Sequence, residues 1–356
     1  MRFRPSRRAC LAAACSAALL PACAMLDKAV ATPLLERHVP KGYSGVVAVR
    51  ADARSTLVTY AGGLALREQA QGHTGDTRFM VGSVTKWISA VTVLRLVDMG
   101  KLDLDVPIAR HLPELPAANG AVTLRQLLSN RSAIPNGLQD ALRKDPSVRK
   151  LEIGPVVAAL RFGAGALAGR PGEQWDYSVT NWLLVAAVVE RATGTLFTDN
   201  VEQLVLAPAR VRDTGFAGTG YEDEVGMAVA YDASGARKTP PAPPMVAASG
   251  TLYSTAADLV ALADTVYRTA LLSNRARQEL MTIQVTSEDY ALGGRVRTIA
   301  TNRGQRTLAW ESGASGGYKT LLAYDPRDGR AVVLLNNTDM QQAEQARIAI
   351  ALFGDM

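Results

Sequence analysis

The stretch FMVGSVTKWISA, residues 79 to 90, places Ser83 three residues ahead of Lys86, directly after Gly82 and at the head of an apolar run. On a helix, positions i and i+3 share a face with β-carbons about 5–6 Å apart, so these two side chains can touch. A serine at a helix N-terminus also has backbone N–H groups aimed at it, which stabilise an anion forming there. Trp87, Ile88, Ala90, Val91, Val93 and Leu94 leave few wet faces around Lys86. A lysine kept from water gives up its proton more easily and then serves as a base. The spacing alone decides little. A second S-x-x-K stands at Ser147–Lys150, in DPSVRKLE, where Asp145, Arg149 and Glu152 predict a solvated surface. The bland alternative for Ser83 is a helix cap beside an exposed lysine.

Working outward, the pattern is strand-like before this stretch and helical after it. An amphipathic helix is expected in LDKAVATPLLERHV, followed by strands in SGVVAVR and STLVTYAGG. Helices are predicted over residues 83–99, 123–130, 151–162, 180–193 and 255–268, the last opened by a capping box of Thr255 and Asp258. TPPAPPMVAASG, residues 239–250, reads as a Pro-rich surface segment. Strands return near 290–298, 306–313, 318–325 and 330–336, with DPRDGR as the final hairpin turn. A closing helix near 340–353 carries Ala346, Ile348, Ile350, Ala351 and Phe353. The simplest architecture is α/β plus all-α. The N- and C-terminal segments (24–80 and 285–356) share one antiparallel sheet flanked by helices, and a helical domain (81–284) is inserted between them.

The chain has 356 residues and is 48% hydrophobic, enough for a large core. Residues 1–22 read as a secretion signal: a basic MRFRPSRR, an apolar ACLAAACSAALL, then small residues for cleavage. All three cysteines, Cys10, Cys15 and Cys23, fall in this region. LPAC resembles a bacterial lipobox, which implies a lipid anchor at Cys23 and a protein that is periplasmic or held at the bacterial membrane. Plain cleavage within ACAM is the alternative. Arg2, Arg4, Arg7 and Arg8 supply four of the formal +6 charge, leaving +2 after cleavage. That balance gives no electrostatic case for nucleic acid. No segment after residue 25 is apolar for long enough to cross a bilayer. His38, His73 and His111 are far apart and lack acidic or cysteine partners at ligand spacing, so neither a metal nor another cofactor is expected.

FMVGSVTK, LVDMGKLDLDVPIARHLPEL, VTLRQLLSNRSAIP, PGEQWDYS, ATGTLF, ASGTLYSTAADL and SGASGGYKTLLAYDPRDGRAVVLLNN follow one another from about residue 43 to the end. In order and spacing they resemble the serine β-lactamase and penicillin-binding protein superfamily, in its class C, DD-peptidase and esterase-like branch. The resemblance implies an α/β domain and a helical domain with the active site between them. It implies Ser83 as nucleophile, Lys86 and Tyr177 as the general-base pair, and the backbone N–H groups of Ser83 and Ala314 as the oxyanion hole.

Two positions depart from the family pattern. Val179 stands where the Y-x-N motif following Tyr177 has asparagine, and Asn181 is the nearest amide that could substitute. Glu311-Ser312-Gly313 stands where K-T-G or H-x-G is usual on an edge strand. A cleft-facing Glu311 would repel carboxylate substrates, whereas a one-residue slip would present Trp310 and Ser312 instead. Trp87, Trp175 and Trp310 each lie within two residues of Lys86, Tyr177 or Glu311 and serve either as packing or as aromatic cleft walls. A rival nucleophile, Ser315 in GASGG, lacks the downstream histidine that a hydrolase elbow needs. The expected activity is hydrolysis of a small-molecule ester, amide or peptide through an acyl-enzyme. A true β-lactamase and a catalytically silent cell-wall-binding protein are the alternatives.

Overall fold

The computed structural model describes residues 28–218 and 220–356; the leader reading of residues 1–22 and the Cys23 anchor lie outside the described residues. The elements that position the site run in chain order. Helix α1 (28–38) precedes strands β1 (Gly45–Arg50) and β2 (Val58–Gly62). A short strand β3 (Phe79–Met80) leads into α2 (Val84–Asp98). Next come α3 (Leu124–Leu128), α4 (Gly137–Lys144), α5 (Pro155–Phe162) and α6 (Val179–Thr193). They are followed by β4 (Gly215–Phe216), α7 (Ala247–Gly250), β5 (Leu252–Ser254), α8 (Ala256–Arg268) and α9 (Asn274–Met281). Four strands, β6 (Arg295–Thr301), β7 (Gly304–Ser315), β8 (Tyr318–Tyr324) and β9 (Ala331–Asn336), then lead to α10 (Gln342–Asp355).

The main sheet has the antiparallel order β6-β7-β8-β9-β1-β2. Its centre joins the two ends of the chain, Gly45 opposite Asn336 and Arg50 opposite Ala331. Every residue of β1 and β9 is buried, which accounts for their near-continuous Val and Leu: both faces of these strands are covered. Alternation divides the covering. Val46 and Ala48 join the large core beneath α2 and α6, while Val47 and Val49 pack with Leu34, Leu35, Ile348, Leu352 and Phe353 of α1 and α10. A smaller sheet, β3-β5-β4, joins Phe79–Met80 to strands from the middle of the chain, where Ala230–Tyr231 also pair with Arg237–Lys238.

Several expectations shift. The strand predicted from 290 starts at Arg295, because Gly293 takes a φ of +79° in a turn pressed onto α2. A β-carbon there would stand 2.5 Å from the Lys86 carbonyl oxygen, so the sequence needs glycine at that point. Thr255 Oγ1 caps α8 by accepting from Asp258 N at 3.1 Å. Asp258 does not close the box; its carboxylate takes the Asp213 N–H and the Thr214 hydroxyl instead. The full reciprocal box belongs to Thr123 and Gln126. The 239–250 segment is only half superficial, since Met245, Ala247, Ala248 and Ser249 are buried. On α10, Ile348 and Phe353 are core residues but Ile350 is 40% exposed.

Candidate active site

Ser83 stands immediately ahead of α2, and its side chain caps no backbone group. The helix it opens is buried on nearly every side from Val84 to Leu94, so Lys86 is only 3% exposed. Lys86 Nζ donates to Ser83 Oγ at 3.1 Å and to the Ser249 carbonyl at 2.5 Å. It also lies over the rings of Tyr177 and Trp182, 5.1 and 5.7 Å from their centroids. A carbonyl and two π faces therefore hold the amine. Tyr177 OH donates to Ser83 Oγ at 2.9 Å from the opposite side. Residues 83, 86 and 177 are thus brought together around one oxygen, whereas Ser147 and Lys150 both lie exposed.

Tyr177 is fixed from both sides. Its ring meets Trp175 at 6.0 Å and Tyr290 edge-on at 6.4 Å. Its neighbours hang on one residue: Asp176 N donates to the Asn130 carbonyl, and Ser178 N donates to Asn130 Oδ1. Asn130 takes a left-handed φ of +55°, a conformation asparagine tolerates better than most residues. Sequence reading passed over Asn130. The available signal was an asparagine directly after the α3 helical run, where a left-handed cap is common.

The carboxamide expected to replace the one missing at Val179 is occupied elsewhere. Asn181 is 1% exposed; its Nδ2 donates to Asn130 Oδ1 and its Oδ1 accepts from Ser132. Val179, the first residue of α6, lines the cavity instead.

The third motif docks on the nucleophile through two glycines. A β-carbon on Gly313 would stand 1.9 Å from the Val81 carbonyl oxygen and 3.0 Å from Ser83 N; one on Gly82, whose φ is +53°, would stand 2.8 Å from Ala314 N. Strand β7 and the turn before α2 therefore approach backbone to backbone, and Ser83 and Ala314 line the same cavity.

Glu311 and Ser312 do not join this cluster. Glu311 shares the inner face with Gly313, so no register slip has occurred. Its carboxylate is buried at 3% exposure against Gly294, however, below the cavity rather than in it. Burial pushes its pKa up to about 8, opposed by the charge of Arg295. The expected repulsion of substrate carboxylates by Glu311 is thereby corrected. Ser312 and Trp310 face the opposite side of the sheet, towards α10. Trp87 is core, its Nε1 donating to Tyr267 OH at 3.1 Å, which leaves Trp175 as the tryptophan touching Tyr177. Ser315 ends a strand and is followed by a hairpin into β8, which removes the rival elbow.

The cavity at Ser83 holds about 260 Å³. Leu138 and Leu142 of α4, Val179, Pro241 and Val246 form apolar walls, and Lys86 is the one charged residue among its lining. His38 pairs with Asp355, and His73 stacks on Phe79. No grouping of three or more metal-ligating side chains occurs among the described residues.

The Beta-lactamase family model matches residues 33–355, so the chain belongs to that family. It is 36% identical over 205 residues to Esterase EstB of Burkholderia gladioli, an alignment covering 54% of this chain and 51% of that protein. The chain thus spans about half the length of that curated relative. A penicillin binding protein from Bacillus halodurans shares the fold with a TM-score of 0.75 at 24% identity, covering 89% of this chain and 97% of the other. The structure of SurE with D-Leu superposes with a TM-score of 0.70 at 26% identity, over 93% and 75% of the two chains.

Proposed function

We propose that this member of the Beta-lactamase family is a serine hydrolase of small neutral esters or amides, working through an acyl-enzyme on Ser83. The observation that carries the reading is the single oxygen, Ser83 Oγ, held between Lys86 Nζ at 3.1 Å and Tyr177 OH at 2.9 Å. As Oγ bonds the acyl carbon, its proton passes to the Lys86–Tyr177 pair. The carbonyl oxygen becomes an oxyanion facing the N–H groups of Ser83 and Ala314. The pair returns the proton to the departing oxygen or nitrogen as that bond breaks. Water then adds to the acyl carbon, giving up a proton to the pair, and Ser83 regains a proton as the acid leaves.

The lining supports a neutral substrate. Among the described residues lining the cavity, a carboxylate on the substrate finds no cation other than Lys86, which is already held by Ser83, Ser249 and two rings. The Leu138–Leu142–Val179 wall suits an apolar acyl group. The relatives point the same way in part, since EstB is named an esterase. The test offers purified protein p-nitrophenyl butyrate, nitrocefin and a fluorescent penicillin beside a Ser83→Ala control. Ester turnover lost in the variant supports the reading. Rapid nitrocefin turnover makes the protein a β-lactamase, and silence with all three makes it a binding protein.

We also propose that the protein is exported and lipidated at Cys23, from the LPAC sequence and the basic-then-apolar leader. Cys23→Ser should move it from the membrane fraction to the soluble periplasm in a bacterial host. An unmodified N-terminus near residue 23 by mass spectrometry rules the anchor out.

A further inference from the structure

Trp310 and Ser312, turned away from Ser83 by strand alternation, open into a second cavity of about 840 Å³ between the outer face of β6–β7 and α10. α10 lines it with the short side chains of Ala343, Ala346 and Ala351 and with the longer Gln342, Arg347 and Ile350, while Gln345 reaches across to donate to the Lys319 carbonyl of β8. Its floor is apolar: Trp310 and Leu321 are each 2% exposed, and the exposed Ile350 stands at its edge.

Two arginines face this hollow from one strand. Arg295 and Arg297 lie two residues apart on β6 and so project from the same side. The Arg297 guanidinium lies over the Trp310 ring, 5.1 Å from its centroid. Its Nε is buried without a hydrogen-bond partner, and the carboxylate of Asp289 stands 3.7 Å away. Arg295 meets the Glu288 carboxylate at 3.6 Å, while its Nε donates to the Glu288 carbonyl at 3.1 Å and its guanidinium lies 5.3 Å from the Tyr290 ring centroid. Both ionic contacts are longer than a hydrogen bond. Burial and the neighbouring Arg295 both weaken the hold of Arg297 on its proton, a repulsion that a bound anion would relieve. Two adjacent guanidiniums, each with its acid beyond hydrogen-bond distance, thus stand beside a hollow of small-molecule size.

We propose that this cavity binds a planar aromatic carboxylate, its ring along the Ala343, Ala346 and Ile350 side of α10 and its carboxylate bridging Arg295 and Arg297. Guanidinium forks match a carboxylate in geometry and charge, and an aromatic ring gains by covering exposed aliphatic side chains. An inorganic anion would leave that apolar side unused. Glu288 and Asp289 compete for the same guanidiniums, so removing one acid should favour the ligand.

Calorimetric titration of the full chain with 1-naphthoate tests the site, with 1-naphthamide as neutral counterpart and phosphate as bare anion. Binding of naphthoate is expected, with the amide and phosphate each at least about tenfold weaker. Arg297→Gln should weaken naphthoate by about tenfold or more, and Asp289→Asn should tighten it several-fold. The gain in Asp289→Asn cannot arise from misfolding, so the pair of variants stays decisive even if Arg297→Gln is unstable. Equal binding of acid and amide overturns the proposal, as does absence of naphthoate binding or an affinity that neither substitution moves.

Discussion

Ser83–Lys86 and Ser147–Lys150 have the same three-residue spacing and opposite surroundings. The first opens a fifteen-residue helix buried on almost every side, so its lysine must find partners inside the protein: a hydroxyl, a carbonyl and two ring faces. The second lies on a single exposed turn after Asp145, where both side chains meet water. A spacing brings two groups within reach, but the proposed chemistry also needs exclusion of water and a third partner, here Tyr177.

The comparison breaks most decisively at the serines. Ser83→Ala should reduce ester turnover by at least about 10⁴-fold, while Ser147→Ala leaves kcat/KM unchanged. Comparable losses in both variants would deny that burial distinguishes them. One step smaller, Lys86→Ala and Tyr177→Phe should each cost about 10²–10⁴-fold in kcat, against no change for Lys150→Ala. A loss below tenfold in Tyr177→Phe removes the third partner from the account.

The cost of burial itself can be read at Glu311, beneath the same helix. Its pKa lies at about 8 against an ordinary 4.5, so the folded chain favours the protonated acid. Below pH 4.5 both folded and unfolded states carry that proton and no penalty arises. Between pH 4.5 and 8 the unfolded chain releases it while the folded chain retains it, so stability falls as pH rises through this window and levels off above it. Glu311→Gln should therefore gain up to about 4 kcal/mol over wild type at pH 8.5 in urea unfolding, and nothing at pH 4. A gain that does not vary with pH would mean the carboxyl is not the source. The smallest effect is expected at Val179→Asn, which returns an amide to the cavity wall. Acylation by a fluorescent penicillin should rise several-fold relative to hydrolysis of p-nitrophenyl butyrate. Parallel changes in both would show that position 179 does not meet the acyl amide.

Much of this was legible in the sequence, for identifiable reasons. The buried central strands announce themselves as runs of Val and Leu, and α2 as an apolar stretch behind Ser83. The register of the third motif was legible only in part: alternation ties Gly313 to Glu311 on one face, but the residue order leaves open whether that face or the one carrying Trp310 and Ser312 turns to the cleft. Depth was not legible. Nothing in the residue order says that Glu311 ends beneath the floor of the cavity, since that depends on how closely the Gly293–Gly294 turn packs on α2. Asn130 and Ser249 escaped notice for a related reason. One acts through its backbone and a structural amide, the other through a carbonyl that every residue possesses. Short elements such as α4 were missed because a single buried residue, Leu138, gives no periodicity to detect.

The pairing of β1 with β9 at the centre of the main sheet has a consequence for the order of events during synthesis. The hairpins of β6 to β9 can close among themselves and β1 can pair with β2, but the other edge of β1 must wait, exposed or escorted, until β9 has been made. Ala314 also belongs to this late segment, so under the proposed mechanism a nascent chain holding Ser83, Lys86 and Tyr177 still lacks one of its two oxyanion donors, and hydrolysis would begin only once these strands are in place.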